Sequence, residues 1–295
     1  ANLLTKKKPT HQITGEVIPI SDNYFEAHLK SKIEKNGKGA WQTNRGLNHL
    51  AANFVEPFTK ILSELGPQDH VIDMGSGDGE VGIDMMSMQR VHYNDIHIQR
   101  RGSYIDRDGY WVDESLSNSP TPAVLTDMQW FASRPIEERP SFTGISYVMP
   151  LKDRVSTYGG KLKFITGVFF EELDVTNIPK ASLIVDNLGI ASYTFDIGKV
   201  LNKYFYLLKR DASVFFYSEM DDVRIYTGRE NWIPLAEFLK RIPGLEVNVY
   251  EGGYAGRKVL MVTKRADKIE LPMLKLLPKK PIHSNPEPRY FVIER

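Results

Sequence analysis

The run His70-Val71-Ile72-Asp73-Met74-Gly75-Ser76-Gly77-Asp78-Gly79-Glu80 constrains this chain more than any other. A short apolar stretch of β type ends in an acid and turns through three alternating glycines. It then opens into Glu80-Val81-Gly82-Ile83-Asp84-Met85-Met86, which reads as a helix. Strand, glycine turn and helix together make a nucleotide cradle in an α/β sheet. Bare backbone lets a ligand come close, and the helix N-terminus presents N–H groups without intrahelical partners. Gly77-x-Gly79-x-x-Gly82 fits the dinucleotide fingerprint. A pyrophosphate, however, favours a loop free of negative charge, and here Asp73, Asp78 and Glu80 surround the turn. That suits a ligand with positive charge and no phosphate.

The pattern Asp73-x-Gly75-x-Gly77-x-Gly79 resembles motif I of the class I S-adenosylmethionine (SAM) dependent methyltransferases, whose ligand carries an ammonium and a sulfonium. The resemblance spans residues 46–264 and rests on this motif together with the order of the elements. It implies a doubly wound, mostly parallel seven-stranded α/β sheet with a C-terminal antiparallel hairpin. An N-terminal helical extension and a large insert after strand 2 complete the expected fold. It also implies SAM as cofactor, a cytoplasmic setting and in-line methyl transfer to an acceptor.

Composition bounds the rest. The 295 residues are 41% hydrophobic and 25% charged, which is globular, and long enough to bury a substantial core. No apolar run is long enough to span a bilayer. A net charge of +1 gives no global pull toward nucleic acid, so any such contact must come from the local basic ends. With no cysteine, disulfides, thiol catalysis and cysteine-based metal sites are excluded.

Along the chain, residues 1–45 read as an appendage: a basic arm at Lys6-Lys7-Lys8, a helix over 24–33, and a lid-like Trp41-Gln42-Thr43-Asn44. Leu47, Leu50, Ala51, Phe54, Phe58, Ile61 and Leu62 then recur at helical spacing. Val91 to Asp95 reads as strand 2. Asp95 lies about 20 residues beyond Gly75, the separation at which a strand-end carboxylate reaches ribose hydroxyls, with Ile96 beside it. Residues 98–160 are too long for an ordinary connection. They read as a hairpin turning at Asp108-Gly109, a helix from Val124 to Ala132 and a Pro-rich segment. Carrying Tyr110, Trp111, Trp130 and Phe131, this insert is a candidate substrate cap. Asp106-x-Asp108-Gly109 lacks the later ligands of a calcium loop, so no metal is expected.

Strand 3 is expected over 161–167. Many family members follow this strand with an acid for the adenine amino group; here Val168 and Phe169 stand there, suited to a backbone contact and to stacking. Strand 4, Ala181 to Asp186-Asn187, ends where the resemblance places the transferred methyl. Asp186 is the candidate base, with Tyr193 and Glu219 in reserve, and Asp186 and Asn187 also border the cofactor. Asp73, Gly75, Ser76, Gly77 and Gly79 would hold its methionyl end. The family's Leu-Lys-Pro-Gly-Gly turn is replaced by Leu208-Lys209-Arg210-Asp211-Ala212 ahead of strand 5, and a helix is expected from Trp232 to Leu239. Two β runs around Gly252-Gly253 make a late hairpin, and residues 265–295 read as a Pro- and Lys-rich tail that either wraps the domain, with Tyr290-Phe291-Val292-Ile293 pinned on it, or contacts a partner. The acceptor reads as a small molecule ahead of a protein side chain, and the sequence leaves oligomeric state open. Two alternatives remain: a non-catalytic scaffold of the same fold, and an NAD(P)-linked oxidoreductase.

Overall fold

The computed structural model describes residues 10–13, 16–19, 46–77, 79–92, 96, 98–105, 111–118, 120–146, 160–166, 170–194, 196–217, 223–227, 232–251, 258–276 and 289–293. In chain order the elements are β1 (Thr10–Ile13), β2 (Glu16–Pro19), α1 (Leu47–Glu64), β3 (His70–Met74) and α2 (Glu80–Ser87). Then come β4 (Ile98–Ile105), β5 (Trp111–Asn118), α3 (Pro122–Ser133), β6 (Ser141–Ser146), β7 (Leu162–Thr166) and β8 (Ala181–Asn187). They are followed by α4 (Ile190–Tyr193), α5 (Ile197–Leu207), β9 (Leu208–Tyr217), β10 (Val223–Tyr226), β11 (Trp232–Pro234) and α6 (Leu235–Leu239). The chain closes with β12 (Leu245–Glu251), β13 (Lys258–Lys264), β14 (Leu274–Leu276) and β15 (Arg289–Ile293).

Seven strands form the main sheet in the order β12-β13-β9-β8-β3-β6-β7. β7, β6, β3, β8 and β9 run parallel, while β13 lies antiparallel to β9 and to β12. Counted along the chain within this sheet, the spatial order is 3-2-1-4-5-7-6 with the seventh strand reversed. The strands alternate between two cores, as a pleat buried on both faces requires. Val71, Phe142, Leu183, Val185 and Phe215 pack under α1, α2 and α3. Ile72, Met74, Ile145, Ile184, Val214 and Phe216 pack under α5 and α6.

The sheet is the one the sequence predicts, but its second strand differs. Val91 and His92 are outside any strand, and the strand beside β3 is Ser141–Ser146. The long segment therefore precedes the second strand, and its last part belongs to the main fold. The reason is packing: Val124, Met128 and Phe131 of α3 are buried with α1 and α2, so α3 is the crossover helix that delivers β6. Arg139 locks this corner. Its guanidinium, almost wholly buried, donates to the carbonyls of Met85, Met88, Ala132 and Arg134 at 2.7–2.9 Å. Of the insert's aromatics, Phe131 is core and Trp130 is exposed. The predicted hairpin forms as β4 and β5, with Ile105 opposite Trp111.

One further expectation changes. Trp232 begins a strand, and the helix starts only at Leu235. Pro234 keeps the residue before it extended and is itself extended, at φ −59° and ψ 154°, as the cap ahead of the helix, which splits the run in two. Within the Pro- and Lys-rich tail, Leu274–Leu276 and Arg289–Ile293 are strands. β14 and β15 join β10 and β11 in a second sheet of order β11-β10-β15-β14, and Leu274 and Phe291 enter the α5-side core. Near the N-terminus the described part is the β1–β2 hairpin. The expected helix over 24–33 and the segment Trp41 to Asn44 lie outside the described residues. No helix among the described residues is long and apolar enough to cross a membrane.

Candidate functional site

In an open sheet with strand order turning outward from β3 and β8, the crevice between the ends of those two strands is where ligands bind. The glycine loop leaves β3 at that point. Gly75 and Ser76 donate their N–H groups to the Ile145 carbonyl of β6 at 2.8 and 3.1 Å, and the Gly79 N–H reaches the Ser76 carbonyl at 2.8 Å. Gly79, at φ 83°, then starts α2. On the other side, the turn after β8 presses against the loop. A Cβ on Gly189 would lie 1.6 Å from the Met74 carbonyl oxygen, and one on Gly75 would lie 2.6 Å from Gly189 Cα. Gly75 therefore serves backbone-to-backbone contact as well as any ligand. Gly82 packs α2 closely on Phe142 and Leu162, the role of the last glycine in a dinucleotide loop.

Register sorts the candidate polar residues onto two faces. Asp73 pairs with Gly144 of β6 and Val185 of β8, so Asp73, Gly144, Val185 and Asn187 all face α1 and α2. Asp73 is buried, and so is Asn187, whose side-chain oxygen accepts from Asn53 Nδ2 of α1 at 3.3 Å. Ser76 Oγ is buried against Gly144 with no hydrogen-bond partner among the described residues. Asn53 Oδ1, in a side chain only 2% exposed, also has none.

Asp186 faces the other way. Its carboxylate, in a residue 1% exposed, accepts from the N–H groups of Gly189 and Ala191 at 2.8 Å each and from the Tyr204 hydroxyl of α5 at 2.5 Å. These bonds hold the turn into α4, where Leu188 adopts φ 54°. Burial, then the Asp186 charge and hydrogen bond, push the Tyr204 hydroxyl well above its ordinary pKa, so it remains a donor. Asp186 is thus committed to the fold on the α5 side, with the α1 side left to its neighbour Asn187. Tyr193 closes α4. Ile96 is buried in the α1–α3 core. Asp95, Val168, Phe169 and Glu219 lie outside the described residues.

Sequence reasoning missed Asn53. The helical stripe that places it among Leu50, Ala51, Phe54 and Phe58 was legible, and an asparagine on a buried stripe was the available signal. It also missed Asp84. Its carboxylate accepts the Leu47 N–H at 2.8 Å and so caps α1 from α2.

No protein-family model matches the chain, and no curated protein matches it. Among solved structures it is similar to an rRNA methylase from Streptococcus thermophilus, at 11% identity over 70% of this chain and 94% of that one, with a TM-score of 0.35. A TehB-like SAM-dependent methyltransferase from Corynebacterium glutamicum aligns at 13% identity over 81% and 99%, with a TM-score of 0.36. An O-methyltransferase from Bacillus cereus in complex with SAH aligns at 7% over 83% and 92%, with a TM-score of 0.39. The class of fold is defined by this chain's own strand order. A doubly wound sheet running 3-2-1-4-5-7-6, reversed only at its seventh strand, is the Rossmann-like architecture of the class I methyltransferases.

Proposed function

We propose that this chain is a SAM-dependent methyltransferase. One observation carries the reading: an acid-bearing glycine loop stands at the switch point of a sheet closed by a reversed seventh strand. The residues there fit a cationic nucleoside. Asp73 offers a carboxylate beside the loop, Ser76 has a buried hydroxyl with no partner among the described residues, and bare Gly144 lies abreast of Asp73. SAM supplies a methyl group on a positively charged sulfur. Asp73 and the loop from Gly75 to Gly79 hold its ammonium end, Asp95 takes the ribose hydroxyls, and Val168 and Phe169 flank the base. Asn187 borders the crevice from β8.

Catalysis on this reading is chiefly positioning, since an in-line displacement gains most from placing the nucleophile behind the methyl. Asp186 turns its carboxylate to Gly189, Ala191 and Tyr204 on the α5 side, away from the face that carries Asp73. Where the acceptor must lose a proton, Tyr193 and Glu219 are the residues to supply the base. We read the acceptor as a small molecule, on the aromatic content of residues 98–160.

The test is calorimetric titration with SAM, S-adenosylhomocysteine (SAH) and NADH, on wild type and Asp73→Ala. SAM and SAH are expected to bind, NADH not. Losing a charged hydrogen-bond acceptor, worth about 1.5–3 kcal/mol, weakens SAH binding roughly tenfold to a hundredfold in the variant. Binding of NADH without SAM overturns the reading in favour of an oxidoreductase.

A further inference from the structure

Asn53 sits where an apolar residue belongs. It lies on the buried stripe of α1, in line with Leu50, Ala51 and Phe54, against the carboxyl end of β8. An amide placed there costs free energy unless its polar atoms are hydrogen-bonded. Its Nδ2 donates to Asn187, while its Oδ1 meets no partner among the described residues.

The helix is interrupted at the same place. Val55 adopts φ 55° and ψ −155°, an outlier for a β-branched residue, and Pro57 follows inside the helix. Pro57 is four residues beyond Asn53 and has no N–H. It cannot give the Asn53 carbonyl its usual helical donor. Two oxygens of one residue, side chain and main chain, thus stand without their ordinary donors beside the crevice. They lie on the face of the sheet that carries Asp73 and Asn187.

The acceptors offered here are the Asp73 carboxylate and Asn53 Oδ1, since Asn187 Oδ1 already receives Asn53 Nδ2 and leaves its own Nδ2 as a buried donor. Such acceptors select an ammonium, and the amide donor beside them suits the carboxylate of the same amino-acid end. We propose that Asn53 is a binding residue of this site, completing with Asp73 a seat for the ammonium group of the cofactor's amino-acid end, with Asn187 beside it for the carboxylate. The inference rests on the SAM reading above and adds to it a residue from α1, outside the glycine loop.

Two probes separate the roles. SAH carries the ammonium; 5′-methylthioadenosine has the same nucleoside and thioether without the amino-acid end. Both are titrated into wild type and Asn53→Leu, with melting curves recorded alongside. The expected result is a loss of at least about tenfold in SAH affinity, with methylthioadenosine binding within about twofold of wild type and no fall in melting temperature. Unchanged SAH binding in the variant overturns the proposal, since the oxygen then serves the fold or a buried water. An equal loss for both probes also overturns it, as damage to the site in general. If wild type binds neither, the SAM reading itself fails and this inference falls with it.

Discussion

Asp186 and Asn187 are neighbours in the chain and opposites in the molecule. A strand turns alternate side chains to opposite faces, so one of the two had to enter the α5-side core and the other the α1 side. Asp186 went in, where two N–H groups and the Tyr204 hydroxyl satisfy it. His70 shows the same logic at the start of β3. It is buried with Nδ1 against Ser141 Oγ at 2.7 Å, and burial, with Lys163 and Lys209 nearby, lowers its pKa to about 4 from 6.5. A depressed histidine is neutral when folded, while the unfolded chain takes up a proton below about pH 6.5. Its contribution to stability is therefore whole above that pH and is lost as pH falls toward 4, by up to about 3 kcal/mol. Denaturant melts of wild type and His70→Gln between pH 7 and 4 are expected to show the variant losing less stability across that window. Parallel pH profiles for the two proteins would rule the assignment out.

At the scale of elements, the loop after β3 and the turn after β8 are built as a pair. Gly189 has its Cβ position against the Met74 carbonyl, so even a methyl group forces backbone apart. Gly189→Ala is expected to cost about 3 kcal/mol or more, read as a lower denaturation midpoint, and to weaken SAH binding through displacement of the loop. A midpoint equal to wild type would mean that the two segments are not in contact. The irregular start of β9, where its register with β8 shifts, meets its own demand differently. Where the resembling family has two glycines, Asp211 adopts φ 61°. Asp tolerates that region better than most residues, and Arg265 reaches its carboxylate at 2.9 Å.

At the scale of the molecule, the second sheet ties the chain's end to its middle. β15 pairs in parallel with β10, and Phe291 is wholly buried in the core that also holds Val223, Leu235 and Ile184. β14 and β15 are therefore part of the folding unit around α5. Phe291→Ala is expected to lose about 3–5 kcal/mol, and removal of residues 265–295 more than that, with one cooperative transition in the full-length chain. A truncated protein melting at the wild-type temperature would mean that the tail adds nothing to the stability of this core.

Local grammar was enough for much of this. The strand–glycine–helix unit, the stripe of α1, the β4–β5 and β12–β13 hairpins and the parallel strands β7, β8 and β9 are each written in a few consecutive residues. Their periods, turn residues and flanks decide them. What the chain could not show locally was partnership. Ser141–Ser146 lies beside β3 because α3 buries its apolar side on α1 and α2, a contact between segments far apart in sequence. The tail became two strands because β10 and the α5 core were there to receive them. Asp186 and Asn187 were both legible as polar residues ending a strand. Which of them faces the crevice was decided only by which helix packs on which side of the sheet, because the two-residue period alternates faces without naming either.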